Sequence, residues 1–359
     1  MKFKPTGDTL NLRNTKAGFL LSAEHEKLPL AELNALIDIF NLEGNLNCFK
    51  NYLILDSSIS KDIIKKMVSR GGYTNEGHLL FSETPIINQN VDETLNNFFK
   101  TSESLDFPIE KSETFAVRVL KLEKESPFNS MEIERKLGGI IKKKTSAEVN
   151  LKNPVKTFRV VISDNTIYTG LVLEKRDIEY FQNNRPHLRA YFHPGCIMPK
   201  LARCLVNLSR VKEREIVLDP FCGTGGFLIE AGFLGCKLIG SDIDEQMVKG
   251  AILNLKTYDL SKQVISIKQN DAKNVSKYLE ELGIEKIDGI VTDPPYGIST
   301  LKKGDMLEIF KKIVDVLKNN DYLVFAAPNK MELDLKLVEF YEMRVHKSLT
   351  RYIHVYKKD

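Results

Sequence analysis

An apolar run near residue 290 leads directly into an acid, two prolines and an aromatic residue. In IDGIVTDPPYG, the residues Asp293, Pro294, Pro295 and Tyr296 follow a segment typical of a buried strand. Proline has no backbone N–H to donate to a sheet, so the strand must end there and the turn is stiff. A carboxylate and an aromatic ring held rigidly beside each other favour a site that binds a flat polar molecule.

A glycine-rich turn and further acids lie upstream. VLDPFCGTGG places Asp219 at the end of a predicted strand, before glycines that let the backbone approach a ligand closely. The turn departs from the dinucleotide pattern G-x-G-x-x-G, because Leu228 occupies the third glycine position. Asp242 ends the next strand, where an acid can bind ribose hydroxyls, and Asp271 follows the third. Helix capping by Asp244 and Asp271 is the alternative, but together the acids favour a nucleoside site.

The motifs DPFCGTGG, GSDID, QNDA and DPPYG, in this order, resemble those of S-adenosylmethionine-dependent methyltransferases of the Rossmann-like class. The resemblance implies that S-adenosylmethionine is the cofactor, with the glycine turn facing its methionine moiety and Asp219 near the amino group. Asp242 would bind the ribose and Asp271 would face the adenine. A segment before the first strand resembles the element that covers the cofactor, although a structural hydrogen bond is an equal alternative for its histidine. The implied cofactor-binding residues are Phe192, His193, Pro194, Gly195, Asp219, Phe221, Cys222, Gly223, Thr224, Gly225, Asp242, Ile243, Asp271, Ala272 and Asp293.

DPPYG resembles the catalytic motif of methyltransferases that act on exocyclic amines. The lone pair of an aryl amine is delocalised into its ring, so the nitrogen is a poor nucleophile. Asp293 and the carbonyl of Pro294 can accept hydrogen bonds from the amine and stabilise its developing positive charge, and Asp293 can also take the released proton. Tyr296 can stack on a base that has left its own stack. The resemblance thus assigns catalysis to Asp293, Pro294, Pro295 and Tyr296; the alternative is a strand terminator with an incidental tyrosine.

Strands and helices alternate from about Met198 onward. EIVLDP, KLIGSDI, VISIKQND, GIVTDPP and YLVFAAP are predicted strands, and helices are predicted between them, one of them through MLEIFKKIVDVLKNN. This rhythm predicts a mostly parallel sheet with helices on both faces. EFYEMRVHKSLTRYIHVYKK predicts two antiparallel strands that close the sheet. The fold class is therefore α/β, with a Rossmann-like methyltransferase sheet that is mostly parallel and whose last strand is antiparallel.

The N-terminal half predicts an α+β region. KDIIKKMVSR is a predicted helix ended by Gly71 and Gly72, and SMEIERKLGGIIKKKT is a predicted helix with a glycine interruption. KTFRVVISDNTIYTGLVLEKRD predicts two strands joined by a turn around Asp164 and Asn165. EYFQNNRPHLRAYFHPG is polar, aromatic and broken by prolines, which predicts a linker. Its Arg185 and Arg189 are predicted to be solvated charges, with contact to phosphate as the alternative.

The N-terminal half also carries a second resemblance. An F-x-V-R-V strand, an E-R-x-L-G-x-x-I helix and a V-N-L-x-N-P turn resemble a THUMP domain, an RNA-binding module that follows a ferredoxin-like domain in tRNA-modifying enzymes. The predicted domains are ferredoxin-like (1–80), THUMP (81–175), linker (176–196) and methyltransferase (197–359). The resemblance implies that basic side chains face RNA phosphates, although a solvated surface is the alternative for any single lysine. These residues are Arg118, Arg135, Lys142, Lys143, Lys144, Lys152 and Lys156.

A THUMP domain followed by DPPYG most closely resembles the archaeal tRNA guanosine-10 N2-methyltransferase family, over essentially the whole chain. The resemblance implies tRNA as the partner and N2-methylguanosine and N2,N2-dimethylguanosine as products. One alternative is an enzyme of the same architecture that methylates guanosine 6 of tRNA. Others are a THUMP RNA-binding protein without catalysis and a DNA adenine N6-methyltransferase, which does not explain the N-terminal half.

Composition limits the class of protein. The chain has 359 residues, 42% of them hydrophobic and 28% charged, and its net charge of +4 permits a nucleic-acid partner without requiring one. No apolar run is long enough to span a bilayer and the first residues lack a signal-peptide core, so a cytoplasmic protein is expected. The five cysteines form no CxxC pair and no zinc spacing, so neither a metal nor disulfides are expected. A monomer is the default expectation.

Overall fold

The computed structural model of the protein describes residues 16–87, 90–295, 303–346 and 349–359. The chain forms two compact units. The first runs to Ala23 and includes Leu42–Ser69 and Thr74–Arg176, and the second comprises Glu24–Asn41, Arg70–Tyr73 and Asp177–Asp359. None of the helices in the described ranges combines the length and apolar character needed to cross a bilayer.

The described strands up to residue 176 form one sheet, in the order β2-β3-β1-β4-β8-β7-β5-β6. The predicted end of a helix before Gly71 and the predicted turn around Asp164 and Asn165 are confirmed. The elements are β1 (Lys16–Leu21), α1 (Leu28–Ile39), β2 (Asn45–Phe49), β3 (Tyr52–Asp56), α2 (Lys61–Arg70), β4 (Thr74–Pro85), α3 (Val91–Ser104), β5 (Thr114–Lys121), α4 (Ser130–Thr145), β6 (Glu148–Val149), β7 (Lys156–Ile162) and β8 (Thr166–Lys175).

Two features differ from the predicted division of the N-terminal half. The boundary predicted between residues 80 and 81 falls inside β4, which pairs with β1 on one side and β8 on the other. The two predicted N-terminal domains therefore share a continuous sheet. Helix α1 belongs to the second unit, where the carboxylate of Glu32 accepts hydrogen bonds of 2.7 Å from the backbone N–H groups of Gly72 and Tyr73.

The predicted glycine interruption of α4 is wrong. The helix continues through Gly138 and Gly139 to Thr145. A glycine in a helix interior costs about 1 kcal/mol relative to alanine. Burial of one aliphatic side chain contributes about 2 kcal/mol, and α4 buries several of them, so the helix survives both glycines. The buried aliphatic residues of this face are Ile133, Leu137 and Ile141.

The described strands of the second unit form a sheet in the order β11-β10-β9-β12-β13-β15-β14. The elements are α5 (Ile178–Asn183), α6 (Pro199–Leu208), β9 (Ile216–Asp219), α7 (Gly226–Phe233), β10 (Lys237–Asp242), α8 (Glu245–Thr257), β11 (Val264–Gln269), α9 (Val275–Glu281), β12 (Ile287–Thr292), α10 (Lys303–Asp315), β13 (Leu317–Ala327), β14 (Lys336–His346) and β15 (Leu349–Lys357). Strands β9 to β13 pair in parallel, and β15 is antiparallel to both β13 and β14. The predicted mostly parallel sheet with an antiparallel closure is confirmed. Helix α10 is shorter than predicted, because its last predicted residues already form the start of β13.

Alternate residues of the central strands enter two hydrophobic clusters. Val217 and Val291 belong to a cluster with α6, α7 and α8, whereas Leu218 and Ile290 belong to a cluster with α9 and α10. Successive side chains of a strand point to opposite faces, so both faces of this sheet are covered. Polar loop residues can then gather at the carboxyl edge of the parallel strands, where ligands bind in open α/β sheets.

The stretch predicted as a linker is folded. It contains α5 and a short 3-10 helix at Pro186–Leu188. The hydroxyl of Tyr180 donates a 2.9 Å hydrogen bond to Glu230, whose second carboxylate oxygen accepts one of 2.8 Å from Arg203. Arg189 is only 7% exposed, so the predicted solvated charge is wrong. The ring of Tyr180 also packs edge-on against that of Phe233 on α7, with the ring centroids 5.2 Å apart. The polar composition of the stretch concealed this contact.

Candidate active site

The turn between β9 and α7 requires glycine at two positions. Gly223 has φ +49° and Gly225 has φ +85°, which lie in the left-handed region that glycine adopts without strain. A Cβ atom on Gly225 would lie 3.3 Å from the Cβ of Ala251, whereas one on Gly223 would meet nothing within 4 Å. Gly223 therefore faces open space, where a ligand can approach the backbone.

Asp219 is a buried acid at the start of this turn. It is 1% exposed, and its Oδ1 accepts hydrogen bonds from the hydroxyl of Thr292 at 2.7 Å and from the N–H of Phe221 at 3.2 Å. Burial, followed by the charges of Asp242 and Asp293, raises the pKa of Asp219 to about 8 despite these hydrogen bonds. The carboxyl group is therefore mostly protonated at neutral pH in the ligand-free protein.

Asp242 holds the glycine turn from the end of the neighbouring strand. Its Oδ2 accepts a 2.8 Å hydrogen bond from the N–H of Gly223, and its Oδ1 accepts one of 3.0 Å from the N–H of Asp244. Ile243, the next residue, is an apolar side chain that is 70% exposed. An acid tied to the turn and an exposed apolar surface beside it suit a ligand with a polar sugar and a flat ring.

The capping alternative describes Asp244 and part of Asp271. Asp244 caps α8 by accepting a 2.7 Å hydrogen bond from the N–H of Gln246. Asp271 accepts one of 2.9 Å from the N–H of Lys273 and caps a short 3-10 helix. Asp271 also lines the cavity described below, and Asp244 does not. Asp271 therefore both caps the short 3-10 helix and lines the cavity.

Asp293 directly follows β12 and lies beside an arginine that the sequence analysis did not identify. The Nη2 atom of Arg351, on β15, lies 3.3 Å from Oδ2 of Asp293 and donates a 3.3 Å hydrogen bond to the carbonyl of Gly195. Arg351 is 6% exposed. Arg351 therefore connects the DPP turn, residues 293–295, to residues 192–196, which are called the FHPG segment below. Tyr296 lies outside the described residues, so its predicted stacking role stays a prediction.

The FHPG segment also contacts the glycine turn. The thiol of Cys196 lies 3.1 Å from the hydroxyl of Thr224 and donates a 2.8 Å hydrogen bond to the carbonyl of His193. The ring of His193 lies 2.8 Å from the carbonyl of Pro194, within hydrogen-bonding distance, so the loop hydrogen bond considered for it is present. Phe192, in contrast, is 48% exposed.

A cavity of about 620 Å³ brings most of the predicted residues together. Its size is that of a pocket for one small molecule. Phe192 and Gly225 are not among the lining residues, and Tyr296 is not described. The predicted residues that line it are His193, Pro194, Gly195, Asp219, Phe221, Cys222, Gly223, Thr224, Asp242, Ile243, Asp271, Ala272, Asp293, Pro294 and Pro295. The lining residues that sequence reasoning missed are Cys196, Ile197, Pro220, Gly226, Phe227, Met247, Asn270, Lys273 and Ile309.

Metal ligands are not grouped in this part of the protein. Within the described ranges, no three His, Cys, Asp or Glu side chains come together in a way that could hold a metal ion.

The basic residues predicted to face RNA fall into two sets. Several already have partners: Arg118 with Glu134 at 3.9 Å, Lys142 with Glu148 at 2.7 Å, Lys144 with the carbonyl of Glu103 at 2.5 Å, and Lys156 with Glu113 at 2.6 Å. Arg135, Lys143 and Lys152 are exposed. Lys152 lines a groove of about 520 Å³ together with Asn153, Pro154, Val155 and Lys175. Lys175 was missed by sequence reasoning, and its Nζ lies 3.9 Å from Oε1 of Glu76. The paired basic residues are weaker candidates, because a phosphate must displace their carboxylate or carbonyl partner.

Solved structures with the same fold support the architecture. TrmN from Thermus thermophilus has a TM-score of 0.58 at 19% identity and covers 96% of this chain and 100% of its own. The structure of SMU.472 complexed with SAH has a TM-score of 0.51 at 13% identity and covers 97% and 99%. At these identities the likeness shows the fold alone.

Family models and relatives define the family. The model described as "RMKL-like, methyltransferase domain" matches residues 186–353, and that of the THUMP domain matches residues 88–172. A tRNA (guanine(10)-N2)-dimethyltransferase of Methanocaldococcus jannaschii is 51% identical over 95% of this chain and 99% of its own length. Another, from Methanothermobacter thermautotrophicus, is 37% identical over 94% and 98%. The resemblance inferred from the motifs is confirmed, and the chain belongs to the tRNA (guanine(10)-N2)-dimethyltransferase family.

Proposed function

We propose that this protein uses S-adenosylmethionine to methylate the exocyclic N2 amine of guanosine 10 in tRNA, first to N2-methylguanosine and then to N2,N2-dimethylguanosine. One observation carries the proposal: the carboxylate of Asp293 lines the same cavity as the glycine turn and the acids that follow β10 and β11. A nucleoside-type site thus adjoins a group that can hold an amine. The names of the full-length archaeal relatives support position 10 over position 6.

The residues present fit the cofactor. Gly223 leaves open space beside the turn, where its backbone can approach the methionine moiety. Asp219 would hold the methionine amino group, Asp242 the ribose hydroxyls and Asp271 the adenine amino group. The exposed side chain of Ile243 and the cavity-lining Ala272 offer apolar surface to the adenine ring. Phe221, Cys222 and Thr224 complete this wall.

The chain's own groups prepare the amine for transfer. When bound, S-adenosylmethionine supplies a sulfonium methyl group: the N2 lone pair forms the new C–N bond, the C–S bond breaks with its electron pair left on sulfur, and N2 then loses one proton. Asp293 and the carbonyl of Pro294 accept hydrogen bonds from the amine and stabilise the positive charge that develops on it. Pro295 stiffens the turn, and Tyr296 would stack on the guanine. Guanine must leave the tRNA stack to reach this cavity.

Nucleoside analysis tests the proposed reaction. The purified protein would be incubated with S-adenosylmethionine and an unmodified tRNA transcript, and the digested RNA analysed by mass spectrometry. N2-methylguanosine should appear first and N2,N2-dimethylguanosine later. Methyladenosine as the product, or no methylated nucleoside at all, would contradict the proposal.

Cofactor affinity should depend on pH through Asp219. Below pH 8 this carboxyl is mostly protonated in the free protein, since its pKa is raised to about 8. Binding of an ammonium group favours the ionised form, so a proton must be released. The affinity for S-adenosylhomocysteine should therefore rise from pH 6 to pH 8, by up to about tenfold per unit, and level off above. Asp219→Asn should remove this rise in isothermal titration calorimetry; an unchanged slope in this variant would count against the assignment.

The groove beside Lys152 should contribute to tRNA binding. Replacing both Lys152 and Lys175 by alanine removes two exposed charges, of which that of Lys175 lies 3.9 Å from Glu76. The affinity for tRNA should therefore fall about tenfold, and the salt dependence of binding should become shallower by between one and two units of slope. Filter binding over a range of salt concentrations measures both quantities. Lys65 and Lys66, exposed on α2, provide a matched double-alanine control. Equal losses in both double variants would mean that the groove is not a specific RNA surface.

A further inference from the structure

We propose that Arg351 is a positioning residue for methyl transfer: it fixes the carboxylate of Asp293 as an anionic hydrogen-bond acceptor for the N2 amine. The inference rests on the proposed function and deepens it. It begins with the contact between Nη2 of Arg351 and Oδ2 of Asp293, at 3.3 Å.

The topology of the sheet explains how these residues meet. Thr292 pairs with Phe325 on β13, and Ala327, two residues further along β13, pairs with Tyr352 on β15. Because β15 runs antiparallel to the central strands, its beginning lies at their carboxyl edge. Arg351 therefore projects at the level of the DPP turn, although it lies far from it in the sequence.

Burial of the Arg351–Asp293 ion pair has a cost in hydration free energy. Its side chain is 7% exposed, and that of Asp293 is 15% exposed. A largely buried ion pair contributes little net stability, because both ions lose their hydration, and an apolar pair of similar volume is often as stable. Arg351 also donates a hydrogen bond to the carbonyl of Gly195, which belongs to a second segment that lines the cavity. This arrangement fits a role in holding the site in shape.

The positive charge of Arg351 determines what Asp293 can do. A guanidinium close to a carboxylate favours its ionised form, so the carboxylate remains an acceptor and is a weaker base. When N2 has formed its new bond to the methyl carbon, an N2–H bond breaks, its electron pair stays on nitrogen and the proton passes to water. The contact with Arg351 thus suits Asp293 to charge stabilisation and hydrogen bonding.

Other charged groups face the same cavity and must be controlled for. They come from the ends of β9, β10 and β11, the FHPG segment and the glycine turn. Asp219 is close enough to Asp293 that the charge of one affects the other. Each pH test therefore compares two proteins that differ only at Arg351, so that these other groups titrate in both. Among the described lining residues, the titratable ones besides Asp293 are Asp219, Asp242, Asp271, Lys273, His193, Cys196 and Cys222.

Kinetics on tRNA form the first test. Arg351→Met should lower kcat about 30-fold, with KM for tRNA changed less than threefold, and should move the acid limb of the pH–kcat profile upward by about one pH unit or more. Arg351→Lys keeps the charge and should retain the wild-type profile, with kcat within about tenfold. Arg214→Met is the matched control, because Arg214 is exposed just before β9, at the opposite edge of the sheet.

Thermal unfolding without cofactor is the second test. Arg351→Met removes the cation that lies 3.3 Å from the carboxylate of Asp293, so keeping this largely buried carboxylate ionised costs more free energy. The loss of Tm relative to the wild type should therefore grow as pH rises from 5 to 8. In an Asp293→Asn background, the same Arg351→Met change should produce a Tm difference that is independent of pH.

The two tests separate this inference from the proposed function. The role of Arg351 would be overturned by a folded Arg351→Met protein whose kcat and acid limb match those of the wild type and whose loss of Tm is the same at every pH. Wild-type protein that does not methylate tRNA would overturn the proposed function, while the unfolding comparison would still decide whether Arg351 controls the charge of Asp293.

Discussion

Asp293→Ala is expected to lower the rate of methyl transfer to tRNA by about 1000-fold or more, while the affinity for S-adenosylhomocysteine stays within about threefold. The variant removes the acceptor that stabilises positive charge on N2, and one such preorganised group is worth about 100- to 1000-fold in rate. It also leaves Arg351 without the carboxylate it contacts at 3.3 Å, so a cation remains beside the developing positive charge. Single-turnover kinetics would measure the transfer step and calorimetry the affinity.

The control for Asp293→Ala lies on the same strand. Glu285 is exposed just before β12, at the end of the strand opposite the cavity, and Glu285→Ala should leave both quantities unchanged. If Asp293→Ala kept more than a tenth of the wild-type rate, catalysis could not depend on this carboxylate. A parallel loss of rate and of cofactor affinity would instead indicate a collapsed site.

Asp242→Ala is expected to weaken binding of S-adenosylhomocysteine about 100- to 1000-fold. Hydrogen bonds that involve a charged group contribute about 1.5–3 kcal/mol each, and this carboxylate would make two of them to the ribose, which at the lower end of that range amounts to about 3–4 kcal/mol. Its loss also frees the N–H of Gly223, which it binds at 2.8 Å, so the glycine turn loses a tie. Calorimetry at pH 8.5, above the pKa of about 8 of Asp219, limits the contribution of Asp219 protonation to the measured loss of affinity.

Asp244, two residues later, is the matched control for Asp242. It caps α8, so Asp244→Ala should lower the free energy of unfolding by about 1 kcal/mol. Cofactor affinity should change little, because Asp244 does not line the cavity. Equal affinities of the Asp242→Ala and Asp244→Ala proteins would refute the assignment of the ribose ligand.

The acids of the site could be predicted because they follow successive strands of a parallel sheet. Asp219, Asp242, Asp271 and Asp293 all come at the ends of apolar runs, and the carboxyl ends of parallel strands share one edge. The structure brings all four to one cavity. A local pattern was sufficient here, because the sheet itself converts sequence order into spatial proximity.

Arg351 could not be predicted in the same way. Its position depends on the register in which β15 pairs with β13, and the residue types of one strand do not determine that register. The apolar lining residues Phe227, Met247 and Ile309 have the same composition as the core around them, so no pattern separates them from it. Asn270 was within reach of sequence reasoning, because it directly precedes Asp271 in the QND motif.

Two predictions about the fold were wrong because they relied on local composition alone. The glycine pair in α4 is weak locally, but the buried aliphatic face that contains Leu137 outweighs it. The polar stretch around Arg189 suggested a linker, although it belongs to the second unit, where Tyr180 hydrogen-bonds Glu230 and Arg189 is buried. In both cases packing against a distant part of the chain decided the outcome, and the sequence alone does not show that packing.

Position-resolved mass spectrometry of a matched pair of tRNA transcripts tests the central claim most directly. One transcript carries guanosine at position 10 and the other adenosine, and each is treated with the protein and S-adenosylmethionine before fragment analysis. We expect both methyl groups on N2 of guanosine 10 in the first transcript and no methylation of the second. Equal methylation of the two transcripts, or methyl groups that map to guanosine 6, would contradict this account.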